Sequence, residues 1–349
     1  MNLRKTIIDL LLFAASISFA FSSAPASAKI TVNADYNAEV ISGHTHHVEA
    51  GSWLAVPFQA TGRGTISATV TVEGVFGALG DAFICSERDV RNFQNNRPNA
   101  CRGAAQFSGS AELQRKVAAP GNYFILMDNR GNLFTSKTYQ IWVSSPQQFT
   151  AAQRDSIRDF LQAFENDVIA DYKLPPFNLT VESCGMANAF SNGRNGDITF
   201  CSELVAEIVS MGKPGALAAI LLHELGHSAL SLWGLPNYAN EETADEVATY
   251  MMMREGGESL LSDFISYWST KNSWNEAQHI IQNGGTHPLS AQRARNIEHN
   301  IKLGRAFTSR WNRLLYPQMT DAALSGIARS PGKYDDVNLA NSILRDRRK

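Results

Sequence analysis

The apolar pattern of this chain changes period near Pro146-Gln147-Gln148, and the change limits it to two different kinds of structure in series. Before it, Trp53 to Phe58, Thr65 to Val72, Asn122 to Met127 and Thr138 to Val143 alternate apolar with polar residues or form brief apolar runs. Gly, Asn and Pro separate them, and Asp128-Asn129-Arg130-Gly131 reads as a turn between two of them. Short strands with turn signals predict an antiparallel β-sandwich. After the change, Ile157, Phe160, Leu161, Phe164, Val168 and Ile169 recur at steps of three and four, the stripe of an amphipathic helix. Short strands are expected around Leu179 to Ser183 and Asp197 to Cys201, and mostly helix from there to about Leu315. A chain of 349 residues suits two domains, because single cores rarely exceed roughly 250 residues. The expected class is α+β: a sandwich over 29–147, then a mainly helical domain with a small sheet over 148–316. The tail, 317–349, has a basic end, Arg345-Asp346-Arg347-Arg348-Lys349, and that end reads as a solvated terminus and not a binding patch.

Residues 1–28 read as a signal peptide. Arg4 and Lys5 precede an apolar stretch from Ile7 to about Phe21, and Ala26-Ser27-Ala28 supplies small residues where a signal peptidase reads them. Asp9 and several serines break the stretch, which falls short of the ~20 residues of a membrane span. Cleavage after Ala28 leaves a secreted or periplasmic protein with no transmembrane segment. Four cysteines suit an oxidising compartment. Three pairings are possible, and Cys85-Cys101 with Cys184-Cys201 is favoured because each pair lies inside one proposed domain. Neither pair has the tight spacing of two thiolates on one metal. With Lys plus Arg at 31 against Asp plus Glu at 33, no nucleic-acid partner is expected.

His223-Glu224-Leu225-Gly226-His227 is the most informative stretch. The helix that holds it starts near Pro214 and is apolar nearly all round, the mark of a buried helix. Residues four apart share a helix face, which lets His223 and His227 present two imidazoles to one zinc ion. Glu224 lies beside that position and can hold a water and take its proton. Gly226 permits close approach by another element. A catalytic zinc takes three protein ligands and leaves one position open. Fourteen residues after His227, Glu241 opens another helical stretch with Asp245 on its face. Glu241 can be the third ligand, with Glu242 as the alternative, and Asp245 can accept the free ring N–H of a ligating histidine.

His223 to His227 followed by Glu241 and Asp245 resembles the gluzincin zinc peptidases, in which a glutamate is the third ligand. The resemblance implies a zincin-like helical domain. It also implies that Asn188-Ala189-Phe190 forms an edge strand, with Asn188 and Ala189 binding an extended peptide by strand addition. A closer likeness spans about Leu179 to Ile301. Cys184-Gly185, Asn188-Ala189-Phe190, Ile198 to Cys201, Glu203-Leu204, the zinc helix, Leu235-Pro236 and Glu241-Glu242 together resemble the bacterial family called putative metallopeptidases. Thr286-His287-Pro288 and Arg293 are similar to the segment after the metal site in CaaX-protease-like peptidases. By that likeness His287 stabilises a developing oxyanion or covers the metal, and Arg293 holds the walls of the site through a carboxylate. The gap between His227 and Glu241 is shorter than in thermolysin-like or CaaX-protease-like enzymes.

The function expected is zinc-dependent endopeptidase activity on a peptide or protein, with Glu224 as general base. The alternative is a non-catalytic or autoinhibited cell-envelope protein whose sandwich binds an envelope ligand and whose zinc site is structural or silenced. Glu224 separates them, because a structural site fills four ligand positions and needs no adjacent base. His44, His46 and His47 lack a matching carboxylate or cysteine for a second metal, and Tyr250 can simply pack.

Overall fold

The computed structural model describes residues 28–73, 79–270 and 290–349. Apart from Ala28, the expected signal peptide lies outside them, as does His287. The chain is α+β and divides into two compact units, residues 34–150 with 183–186, and residues 28–33, 151–182 and 187–349.

The first unit holds β2 (Asp35–Val48), β3 (Trp53–Ala60), β4 (Gly64–Glu73), β5 (Leu79–Ser86), the short helix α1 (Glu87–Gln94), β6 (Arg102–Ser108), β7 (Ser110–Val117), β8 (Gly121–Asp128) and β9 (Lys137–Gln148). The strands form two antiparallel four-stranded sheets, ordered β2-β9-β4-β7 and β3-β8-β5-β6. Buried and less buried residues alternate along β4 and β9, as the pleat requires when one face is covered. Ile66, Val70, Ile141 and Val143 of one sheet meet Ile84, Ile125 and Met127 of the other in one core, which makes the unit a sandwich. The expected turn joins β8 to β9, where the buried Asn129 side chain donates to the carbonyls of Val48, Glu49 and Thr135. Cys85 and Cys101 form a disulfide that ties the end of β5 to the segment after α1.

The second unit adds β1 (Ala28–Val32), α2 (Ala151–Asp167), β10 (Phe177–Glu182), β11 (Ala189–Ser191), β12 (Ile198–Cys201), α3 (Ser202–Ser210), α4 (Pro214–Leu232), α5 (Glu241–Arg254), α6 (Leu261–Thr270), α7 (Ser290–Leu303), α8 (Arg305–Leu315), α9 (Asp321–Arg329) and α10 (Val337–Arg347). Its sheet runs β1-β10-β12-β11, with β1, β10 and β12 parallel and β11 antiparallel at the edge. One expectation changes here. Residues 28–33 belong to this sheet and not to the sandwich, because β1 pairs in parallel with β10 across a long sequence gap. The tail before its basic end is folded: Arg347 donates to the carbonyls of Pro317 and Met319, and Asn312 to that of Tyr334, while Arg345, Asp346, Arg348 and Lys349 are exposed. Leu324, Ile327, Ala340 and Leu344 are buried beneath α9 and α10.

Helix α4 runs through the middle of this unit. It is long and apolar enough to cross a membrane by composition, yet nearly all of it is buried in the protein. Pro214 occupies its first turn, where its missing N–H has no helical partner to lose. A side chain at Gly215 would lie 2.3 Å from the carbonyl oxygen of Leu260, so only glycine fits there. A Cβ at Gly226 would sit 3.4 Å from the backbone of Ala244, which shows how closely α5 crosses α4. That crossing positions the site.

Candidate active site

His223 and His227 lie one helical turn apart on α4, and Glu241 is the first residue of α5. The Asn240 side chain accepts the N–H of Thr243 at 2.9 Å, which fixes where α5 begins and how Glu241 is aimed. The tight crossing at Gly226 brings that carboxylate onto the histidines. Its Oε2 is 3.1 Å from His223 Nε2, and its Oε1 is 3.5 Å from His227 Nε2. The two Nε2 atoms are 3.1 Å apart. Glu242, one residue on, points elsewhere: it is exposed and accepts from the Asn296 side chain at 2.8 Å.

The remaining ring nitrogens decide what this convergence is for. His227 Nδ1 is 2.5 Å from the Tyr238 carbonyl oxygen, which can only accept, so Nδ1 carries the proton. His223 Nδ1 is 2.9 Å from Asp245 Oδ1 and donates to it by the same reasoning. Both Nε2 atoms of the neutral rings are therefore bare lone pairs, and they face each other and a carboxylate. Three such donors repel one another unless a cation stands among them. The groups of His223, His227 and Glu241 all lie within 4.8 Å of one another and could hold a metal ion. Nitrogen and oxygen donors of this kind suit zinc.

Asp245 is buried and accepts from Arg293 twice, at 2.8 Å from Nε and 2.8 Å from a terminal nitrogen. Arg293 is held in turn by the Trp268 ring, 4.3 Å from its guanidinium carbon. Burial alone raises the Asp245 carboxyl, but the Arg293 charge and bonds from His223 and Arg293 hold it low. Burial also raises Glu241, and the two histidines beside it, with the charge of Arg293, push it well below the usual range. His223 moves the other way. Burial lowers it, yet the bonds its protonated ring makes to Asp245 and Glu241 outweigh that and carry it up to about 9.

Glu224 is buried beside this group and lines a cleft of about 470 Å³ that opens over it. The walls are mostly apolar. Leu204, Ile220, Tyr267 and Trp268 line it together with the half-exposed rings of Phe190 and Tyr238. Phe190 belonged to the expected edge-strand tripeptide but had no cleft role. Tyr238 escaped the sequence reading because a loop tyrosine carries no periodic signal, and Tyr267-Trp268 looks like ordinary core.

Strand β11 forms one rim as an exposed edge, with Ala189 in register with Phe200. Asn188 turns its carbonyl inward to accept the N–H of Cys201, and its side chain accepts the N–H of Ala189. Backbone groups alternate between the two sides of an antiparallel strand. The free side of this edge therefore presents the backbone of Ala189 and Ser191, while the Asn188 carbonyl faces β12 and its side chain stays at the cleft rim.

Other candidates fall away from the cleft. Tyr250 is fully buried and donates to Asn312 Oδ1 at 2.7 Å. His47 reaches Glu49 at 3.5 Å, His44 and His46 pack edge to face, and among the described residues none of the three joins a metal-binding group. Cys184 and Cys201 are both disulfide-bonded, which leaves them no thiolate for a metal.

Comparison with curated proteins gives no match. Among solved structures, the pre-peptidase C-terminal domain of a Bacillus anthracis collagenase is 21% identical, covers 35% of this chain and 99% of its own, and has a TM-score of 0.18. The periplasmic inhibitor of g-type lysozyme from Aeromonas hydrophila is 13% identical over 34% of this chain and 98% of its own, with a TM-score of 0.18. IMPa from Pseudomonas aeruginosa, solved with an O-glycopeptide, is 9% identical over 86% of this chain and 45% of its own, with a TM-score of 0.20. None of the three bears on function at these scores. Residues 145–301 match the model of the family described as "Putative metallopeptidase", and the matched stretch holds both histidines, Glu224, Glu241, Asp245, Arg293 and the edge strand.

Proposed function

We propose that the protein is a secreted or periplasmic zinc-dependent endopeptidase. The observation that carries this reading is the meeting of two bare imidazole nitrogens and a carboxylate beside a further buried glutamate, at the floor of an open cleft. His223, His227 and Glu241 would hold the ion, and Asp245 would keep the His223 ring in the tautomer that offers Nε2. A bound zinc ion supplies Lewis acidity toward a carbonyl oxygen and lowers the pKa of water. Glu224 takes the proton of the attacking water and later gives it to the leaving amine. The Ala189 carbonyl and the backbone of Ser191 pair with an extended substrate as an added strand. The apolar walls favour a large apolar side chain beside the scissile bond. Disulfide-bonded cysteines throughout support a location outside the cytoplasm.

The test compares purified wild-type protein with Glu224→Gln, measuring zinc content and cleavage of unfolded protein substrates. Glu224→Gln is expected to keep stoichiometric zinc and to lose roughly 100-fold or more in rate, the scale of positioned acid–base catalysis. Equal turnover by the variant would remove Glu224 from the mechanism.

A further inference from the structure

Ala28 is the first residue of β1 and is buried, and its N–H donates to Glu165 Oε1 at 2.7 Å. Glu165 lies on α2 with 3% of its surface exposed, and its other oxygen accepts from Gln162 at 2.8 Å. Each carboxyl oxygen therefore has a donor, as a buried group requires. Ala28 is also the first rung of the parallel ladder with β10, in register with Phe177. A leader cut after Ala28 would remove the donor and the rung together. Lys29 is a poor replacement, because the N–H groups of successive strand residues face opposite edges.

Just upstream the sequence offers a second triplet, Ala24-Pro25-Ala26, with small residues at the same two positions as Ala26-Ser27-Ala28. Both triplets suit a signal peptidase. Only the upstream cut leaves the folded chain with its donor to Glu165. We infer that the leader is removed after Ala26, so that the mature chain begins at Ser27 and keeps Ala28 as the residue that closes the Glu165 site. This rests on the leader reading and is independent of the metal chemistry.

The test expresses the full chain in a bacterial host with a cell envelope and reads the N-terminal sequence and intact mass of the processed protein. The expected first residue is Ser27. A chain that begins at Ala28 or Lys29 overturns the inference while preserving the leader reading; a chain that stays uncut overturns both. Pulse–chase of two variants gives an independent check. Ala24→Leu alters a position that only the upstream cut uses and should accumulate uncut precursor. Ala28→Leu lies beyond that cut and should process at the wild-type rate, although the same substitution blocks the downstream cut. The reverse pattern overturns the inference.

Discussion

Asp245→Asn is the most informative single change, because it separates orientation of a ligand from the chemistry of the cleft. The carboxylate accepts the His223 ring N–H at 2.9 Å and Arg293 at 2.8 Å through each of two nitrogens. Asparagine keeps the volume and removes the charge. The loss of such an orienting partner typically weakens metal binding by about 10–100-fold, or about 1.4–2.7 kcal/mol. Arg293, itself buried, then lacks its main counter-charge, and an uncompensated buried charge costs about 3–5 kcal/mol of stability. The two effects can be told apart with the double variant Asp245→Asn/Arg293→Met. It should regain most of the thermal stability, since an apolar side chain tolerates burial, but not the affinity for zinc. The assay is competition for zinc against a chelator of known affinity, alongside thermal unfolding of the metal-free proteins. Unchanged zinc affinity in folded Asp245→Asn would refute the reasoning that this carboxylate sets the ligand.

Metal affinity should depend on pH with a definite sign. In the metal-free protein the His223 value is raised from 6.5 to about 9, so the stability it contributes is full below 6.5 and is lost as pH rises through about 9. Proton and ion compete for the same nitrogen, and zinc affinity should climb across that window and then level; a flat chelator-competition profile would contradict the tautomer assignment. Removal of the Cys85–Cys101 bridge by double substitution to alanine, which frees a loop of 16 residues, should cost about 3 kcal/mol in denaturant unfolding. An unchanged midpoint would mean that the loop is ordered without its bond. Peptide libraries should show preferential cleavage next to large apolar side chains over acidic ones by 10-fold or more, given the roughly 1–3 kcal/mol such pockets discriminate. Equal cleavage of both would show that the apolar walls are not in contact with substrate.

The sequence alone determined whatever depends on residues close in the chain. The four-residue step from His223 to His227 sets both rings on one helix face, and Gly226 between them marks a close approach. The patterns along Thr65 to Val72 and Thr138 to Val143 announced strands, which the structure extends to 64–73 and 137–148. Only the tertiary structure decided what depends on how elements meet. The rotation of α5 against α4 selects Glu241 over Glu242, although the two are neighbours with the same chemistry. Arg293 reaches Asp245 from α7, and β1 finds β10, across sequence gaps that no local period can register. Local periodicity records which face of an element avoids water, whereas the partner of that face is settled by packing of the whole core.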